Sequence, residues 1–113
     1  MEQTSFSENT TFAIICKTPA AANKLYSALD KKHRECCLLI DEDSTEFHEG
    51  IIITNAYLAK GLEFDCVILS EVTDKEYSSE RDRQILYIAA TRALHELEIL
   101  YLGKKSKFIS EIK

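Results

Sequence analysis

Apolar residues occur along this chain in short unbroken runs rather than in strict alternation with polar ones. Thr11 to Cys16, Cys36 to Ile40, the stretch from Ile51, the stretch ending Val67-Ile68-Leu69, and His95 to Leu102 are each of strand length. Continuous Val, Ile and Leu runs mark strands covered on both faces, and ligands of such sheets sit in loops at the strand ends. The intervening segments carry helical signals. Thr18-Pro19 reads as a hydroxyl N-cap followed by proline at the first helical position. Ala22, Leu25, Tyr26 and Leu29 then form one stripe, and Lys31-Lys32-His33-Arg34 completes that helix with favourable positive charge. His33 reads as a solvated last-turn residue. Ser78 or Ser79 caps a second helix with Glu80 and Asp82 in its first turn, running through about Ala93. Ser106 to Lys113 forms a short terminal helix with Phe108, Ile109 and Ile112 on one side.

Strands alternating with helices predict a three-layer α/β domain with a mainly parallel sheet. Residues 1–10 are polar and read as a flexible lead-in, leaving 11–113 as the folded unit. The acidic stretch from Asp41 to Glu46, with Phe47 to Gly50, reads as a solvated connection, since its order does not match a calcium loop.

Composition narrows the class. At 113 residues, 45% hydrophobic and 29% charged, the chain is one globular domain. No apolar run approaches the roughly 20 residues of a membrane helix, and the N-terminus lacks a signal-peptide pattern, so the expected compartment is the cytoplasm. Cys16, Cys36, Cys37 and Cys66 all fall in apolar runs without Cys-x-x-Cys spacing, which favours reduced core thiols over a disulfide framework or metal site. A net charge of −5 argues against a free-standing nucleic-acid binder.

Candidate chemistry concentrates in the insert Tyr57-Leu58-Ala59-Lys60-Gly61-Leu62-Glu63, which places a cation, a glycine and a carboxylate close together between two apolar runs. Gly61 permits a tight turn and close approach of a ligand. A second candidate is Arg92, which shares a predicted helical face with Ile85, Ile88 and Ala89. A guanidinium at the end of an apolar stripe either pairs with a carboxylate, reaches water, or emerges into a cleft as a multi-donor cation for phosphate oxygens.

Two motifs carry a resemblance. Ala59-Lys60-Gly61-Leu62-Glu63-Phe64-Asp65, followed by an apolar strand, resembles motif V of the UvrD/Rep-type superfamily 1 DNA helicases. Glu80-Arg81-Asp82-Arg83-Gln84-Ile85-Leu86-Tyr87-Ile88-Ala89-Ala90-Thr91-Arg92-Ala93 is similar to motif VI, whose core reads Tyr-Val-Ala-x-Thr-Arg-Ala. The resemblance covers Phe12 to Leu102 and implies the second, RecA-like motor domain of such a helicase, without the phosphate loop. No Gly-x-x-x-x-Gly-Lys-Ser/Thr stretch is present in the sequence, and motifs I to III are not matched.

The resemblance implies specific roles. Arg92 corresponds to an arginine finger toward the γ-phosphate of ATP, and Glu63 to the glutamate that bonds the nucleotide sugar, with Gly61 beside it. Lys17 stands where many members carry a motif IV arginine near the same phosphate, and a lysine supplies charge without the bidentate fork. Tyr57 stands where a histidine approaches the nucleic-acid strand, and Lys60 serves nucleotide or nucleic acid. ATP and Mg²⁺ would bind mainly to a first motor domain, the partner being single-stranded or duplex DNA, with translocation 3′ to 5′. The fragment alone is then expected to be inactive. Two alternatives stay open: a HelD-like ATPase remodelling RNA polymerase, suggested by the wording of motif V, and a degenerate interaction module.

Overall fold

In three of the five strands of the fold, neighbouring side chains go alternately into two different apolar layers. The computed structural model describes residues 11–35, 37–40 and 50–112. In chain order the elements are β1 (Thr11–Cys16), α1 (Pro19–Ala28), α2 (Lys31–Glu35), β2 (Cys37–Leu39), β3 (Gly50–Asn55), α3 (Ala56–Ala59), β4 (Phe64–Leu69), α4 (Glu80–Ala90), β5 (Ala93–Ile99) and α5 (Ile109–Ile112). The strands form one sheet in the order β2-β3-β1-β4-β5, and every pairing is parallel. The mainly parallel sheet expected from the sequence is thus wholly parallel among the described residues.

Ala13 and Ile15 of β1, Ile52 of β3, and Val67 and Leu69 of β4 face a layer that includes Ala56 and Ala59 of α3, Leu86 and Ala89 of α4, and Ile109 of α5. Cys16 and Ile53 face the opposite layer with Ala22, Leu25 and Tyr26 of α1. This second layer is incomplete. Beside Cys66 and Ile68 of β4 stand Glu96 and Glu98 of β5, both exposed. β5 therefore presents carboxylates on one face and Leu97 and Ile99 to the core on the other, the alternation expected of a strand covered on one side.

Several boundaries differ from the sequence reading. The first predicted helix is two: α1 ends where Leu29 turns extended (φ −74°, ψ 147°), and α2 restarts at Lys31. The Asp30 carboxylate accepts from the His33 N–H at 2.9 Å and contacts the His33 ring at 2.7 Å, so Asp30 starts a new helix rather than continuing the old one. The predicted stripe is still used, since Leu25, Tyr26 and Leu29 pack beside Ala22. Helix α4 stops at Ala90, with Thr91 as its C-cap, so Arg92 lies in the turn before β5. Its buried residues are Leu86, Ala89 and Ala90, in place of the stripe drawn through Ile88 and Arg92. β5 starts at Ala93, two residues earlier than read. The lead-in 1–10, Cys36 and the acidic connection 41–49 lie outside the described residues.

Cys16 and Cys66 are buried free thiols and Cys37 is half-buried. Burial pushes the thiols of Cys16 and Cys66 above their ordinary range, consistent with inert core sulfur. No helix among the described residues is long and apolar enough to cross a membrane.

Candidate functional site

An all-parallel sheet has two chemically distinct edges, and the candidate residues divide between them. The strand starts Thr11, Gly50, Phe64 and Ala93 line one edge; the strand ends Cys16, Asn55, Leu69 and Ile99 line the other. Glu63 immediately precedes β4 and Arg92 immediately precedes β5, so both belong to the starting edge. Tyr57 follows β3 and Lys17 follows β1, so both belong to the ending edge, about one strand length, roughly 20 Å, away.

At the starting edge, Arg92 is held by oxygens from two segments. Its Nε donates to the carbonyl of Ile88 at 3.2 Å, Nη2 to the hydroxyl of Thr91 at 3.1 Å, and Nη1 to the carbonyl of Leu62 at 3.4 Å. The Thr91 hydroxyl in turn donates to Ile88 O at 2.8 Å. The carbonyl of Arg92 accepts from Phe64 N at 2.9 Å, which completes the junction of the two segments. A guanidinium has five N–H groups, so one on Nη1 and one on Nη2 are left over. No carboxylate among the described residues pairs with Arg92. Glu63, next to Leu62, is exposed, and no hydrogen bond or ion pair among the described residues engages its carboxylate.

The neighbouring turn depends on Gly61, whose φ of +91° lies in the left-handed region that side-chain-bearing residues rarely adopt. A Cβ there would meet nothing within 4 Å, so backbone conformation and not crowding is what requires glycine. Lys60 is exposed beside it. Asp65 secures the same edge: its Oδ2 accepts from the N–H and the hydroxyl of Thr11 at 2.8 and 3.1 Å, and Thr11 Oγ1 accepts from Asp65 N. These bonds from Thr11 hold the Asp65 carboxyl below the usual carboxylate range.

At the ending edge, Asn55 is buried and its side chain accepts from Tyr57 N and Leu58 N at 3.0 and 3.1 Å. That Asx cap starts α3 and leaves Tyr57 55% exposed. An Asn directly before Ala-Tyr-Leu-Ala is the sequence signal of this cap. Lys17 has a different setting. Its ammonium lies 2.9 Å from Asp82 Oδ1, donates to Glu76 O, and stands 5.5 Å from the centre of the Tyr77 ring. Lys17 is therefore not brought together with Glu63 and Arg92.

Asp82 also completes the capping box of α4, its Oδ2 accepting from Ser78 N and Ser79 N at 3.1 and 3.2 Å while Ser79 Oγ accepts from Asp82 N. Lys17 foremost, with these backbone N–H groups, holds the Asp82 carboxyl far below the usual carboxylate range. A lowered folded pKa contributes stability above the unfolded value near 4, and that stability is lost as pH falls through the folded value. Asp82→Asn is expected to lower unfolding free energy at neutral pH by about 2 kcal/mol. The gap to wild type should stay constant above about pH 5 and shrink below about pH 4 in urea titrations; a gap independent of pH would show that the charge of Asp82 contributes nothing.

No group of three or more His, Cys, Asp or Glu among the described residues could hold a metal ion.

A parallel α/β domain with an arginine and an exposed carboxylate both placed at its starting edge, and no phosphate loop of its own, has the fold of a helicase C-terminal domain. Residues 50–100, which hold β3 through β5, match the family model of the UvrD-like helicase C-terminal domain. The whole fold is similar to the crystal structure of the C-terminal domain of a possible DNA helicase from Lactobacillus plantarum WCFS1, with a TM-score of 0.77 and 36% sequence identity. That likeness covers 94% of this chain, which spans 65% of the length of the solved one. No curated protein matches the chain.

Proposed function

We propose that the chain acts as the C-terminal motor domain of an ATP-dependent superfamily 1 DNA helicase, closing on a first motor domain around ATP and supplying the arginine finger. The observation that supports this reading most directly is the bond from Arg92 Nη1 to Leu62 O. It ties a guanidinium with two uncommitted N–H groups to the backbone of Leu62, the residue before Glu63, whose carboxylate is exposed. Such a pair fits a nucleotide: hydroxyls of the sugar donate to the carboxylate, and the fork of the guanidinium faces terminal phosphate oxygens. Bound ATP would supply the phosphoryl group, and its phosphate loop and magnesium ligands would come from the first motor domain.

Within this reading Arg92 stabilises charge that develops on the transferred phosphoryl oxygens, and its three existing bonds fix its orientation before closure. Glu63 orients the sugar. Gly61 keeps side-chain bulk away from the approaching nucleotide, and Lys60 adds positive charge near it. Tyr57, on the opposite edge, offers a flat ring to a DNA base, and translocation along DNA then couples the two edges. Lys17 is placed to hold α4 through Asp82 and does not reach the phosphate side in this arrangement. A motor on DNA of this kind is expected to work in the cytoplasm.

The complete helicase is expected to hydrolyse ATP in a DNA-stimulated reaction, whereas the 113-residue chain alone should show no turnover. Robust turnover by the isolated chain would overturn the reading, because half of the nucleotide site would then be superfluous. Glu63→Gln in the complete protein is expected to raise the KM for ATP about tenfold while leaving kcat within about twofold, the pattern of lost uniform binding. An unchanged KM would remove Glu63 from the site. A HelD-like ATPase acting on RNA polymerase is a second reading, favoured by the Tyr57-to-Asp65 wording; DNA-independent turnover together with stable capture of polymerase would support it instead.

A further inference from the structure

The segment after β5 places exposed apolar side chains next to exposed lysines. Leu100 and Tyr101 are about half exposed and Leu102 is 93% exposed. Gly103, at φ +95°, turns the chain, and Lys104, Lys105 and Lys107 follow, all exposed. The backbone here is nevertheless fixed. Val72 N donates to Leu100 O at 2.9 Å, Asp74 N to Lys104 O at 2.9 Å, and Ser106 N to Val72 O at 3.0 Å, while Thr73 and Lys105 form an antiparallel bridge. Ser106, 1% exposed, donates its hydroxyl to Tyr77 O at 2.8 Å and accepts from Phe108 N at 3.2 Å.

The three lysines line an open hollow of about 570 Å³ with Ser106, Ser110 and Asp74. Only Lys104 has a carboxylate within reach among the described residues, at 4.0 Å from Asp74, an exposed contact that leaves the ammonium largely free. Lys107 rests 5.4 Å from the centre of the Phe108 ring. In a chain of net charge −5, three ammoniums facing one carboxylate make a local excess of positive charge. The hollow leaves from the end of β5, on the same edge as Tyr57, and the strand order puts β3 and β5 three strand spacings apart, about 14 Å. Single-stranded nucleic acid is bound by a row of cations along its phosphates with aromatic rings under its bases. A free polyphosphate would use the lysines but leave Tyr101 and Leu102 idle.

We propose that the Tyr101–Lys107 segment is a strand-binding surface, in which Lys104, Lys105 and Lys107 hold the phosphodiester backbone of single-stranded nucleic acid and Tyr101 stacks on a base. This deepens the nucleic-acid reading of Tyr57 and rests on it. The test is fluorescence anisotropy of a labelled oligothymidylate of about 15 nucleotides, long enough for one domain, titrated with the 113-residue chain between about 50 and 200 mM salt.

Lys105→Ala with Lys107→Ala is expected to weaken binding about tenfold at low salt and to flatten the dependence of log Kd on log salt by about 0.7 per lysine. Tyr101→Ala is expected to weaken binding several-fold with the salt slope unchanged. Both variants alter exposed side chains and should melt like the wild type. If the lysine pair leaves affinity and slope unchanged while Tyr57→Ala weakens binding, this surface is overturned and the nucleic-acid reading stands. If the wild-type chain shows no binding at low salt, both are overturned. Displacement of the oligonucleotide by millimolar ATP would assign the hollow to free anions and overturn the strand assignment.

Discussion

On the proposed motor-domain reading, replacing Arg92 with alanine in the complete protein is expected to lower kcat for ATP hydrolysis by about 10³-fold or more, with the nucleotide dissociation constant changed only a few-fold. The size follows from what arginine fingers contribute to phosphoryl transfer, where charge on the equatorial oxygens must be met by a preorganised cation. The competing account is structural. Arg92 donates to Ile88 O and so satisfies a carbonyl at the end of α4, a task an arginine performs near many helix ends. That account predicts a loss of about 1 kcal/mol in stability and little change in kcat per folded molecule. Arg92→Lys separates the two further: it keeps the charge and loses the fork, so it should recover stability but little of the turnover. A wild-type kcat in Arg92→Ala, with the protein folded, would reduce Arg92 to a helix-end residue.

The second large effect concerns Phe64, the residue directly after Glu63. Its ring is 0% exposed and lies in the same cluster as Ala59, Leu86 and Ala89. Phe64→Ala is expected to cost about 3–5 kcal/mol, the usual penalty for emptying a phenylalanine site in a core that relaxes only in part. Against a typical net stability of about 5–15 kcal/mol, that is a third or more of the total. Urea denaturation should show a lower midpoint with an unchanged slope. Because Phe64 N bonds Arg92 O, the same change should loosen the junction between the two motif segments. Phe64→Leu, which keeps most of the volume, is expected to cost about 1.5 kcal/mol or less. A loss below about 1 kcal/mol for Phe64→Ala would mean that the loop collapses into the space and that its position is not set by this ring.

How far the sequence foretold this arrangement depends on the range of the interaction. β1 could be delimited to the residue because Thr11 to Cys16 is a bounded apolar run, and Thr18 and Ser79 behave as the N-caps their types suggest. The break at Asp30 was not legible, since Leu29 continues the apolar stripe and only the bond from His33 N to the Asp30 carboxylate shows a restart. The Lys17–Asp82 ion pair joins residues on different elements with nothing in either local pattern to connect them. One relation is legible in the predicted topology itself. In a parallel sheet a residue just after one strand and a residue just before another must lie on opposite edges, so Lys17 and the Glu63–Arg92 pair follow from the predicted topology alone. The junction of Arg92 with Leu62 required coordinates, because it depends on α4 ending at Ala90.

The position of β1 in the middle of the sheet bears on how the chain is made. This strand leaves the ribosome before either of its neighbours, and the bonds that Thr11 makes to Asp65 join residues 54 positions apart. At about 5–20 residues per second, synthesis of that interval occupies several seconds. Throughout it the six-residue segment Thr-Phe-Ala-Ile-Ile-Cys, apolar, uncharged and suited to extended pairing, has no β4 to dock against. Release of a nascent chain before Leu69 would leave β1 with one side unpaired, so truncations in β4 should yield aggregates where truncations after Ile112 yield soluble domain. Slow codons or a chaperone acting between Gly50 and Leu69 would then affect yield more than the same intervention after Ile99.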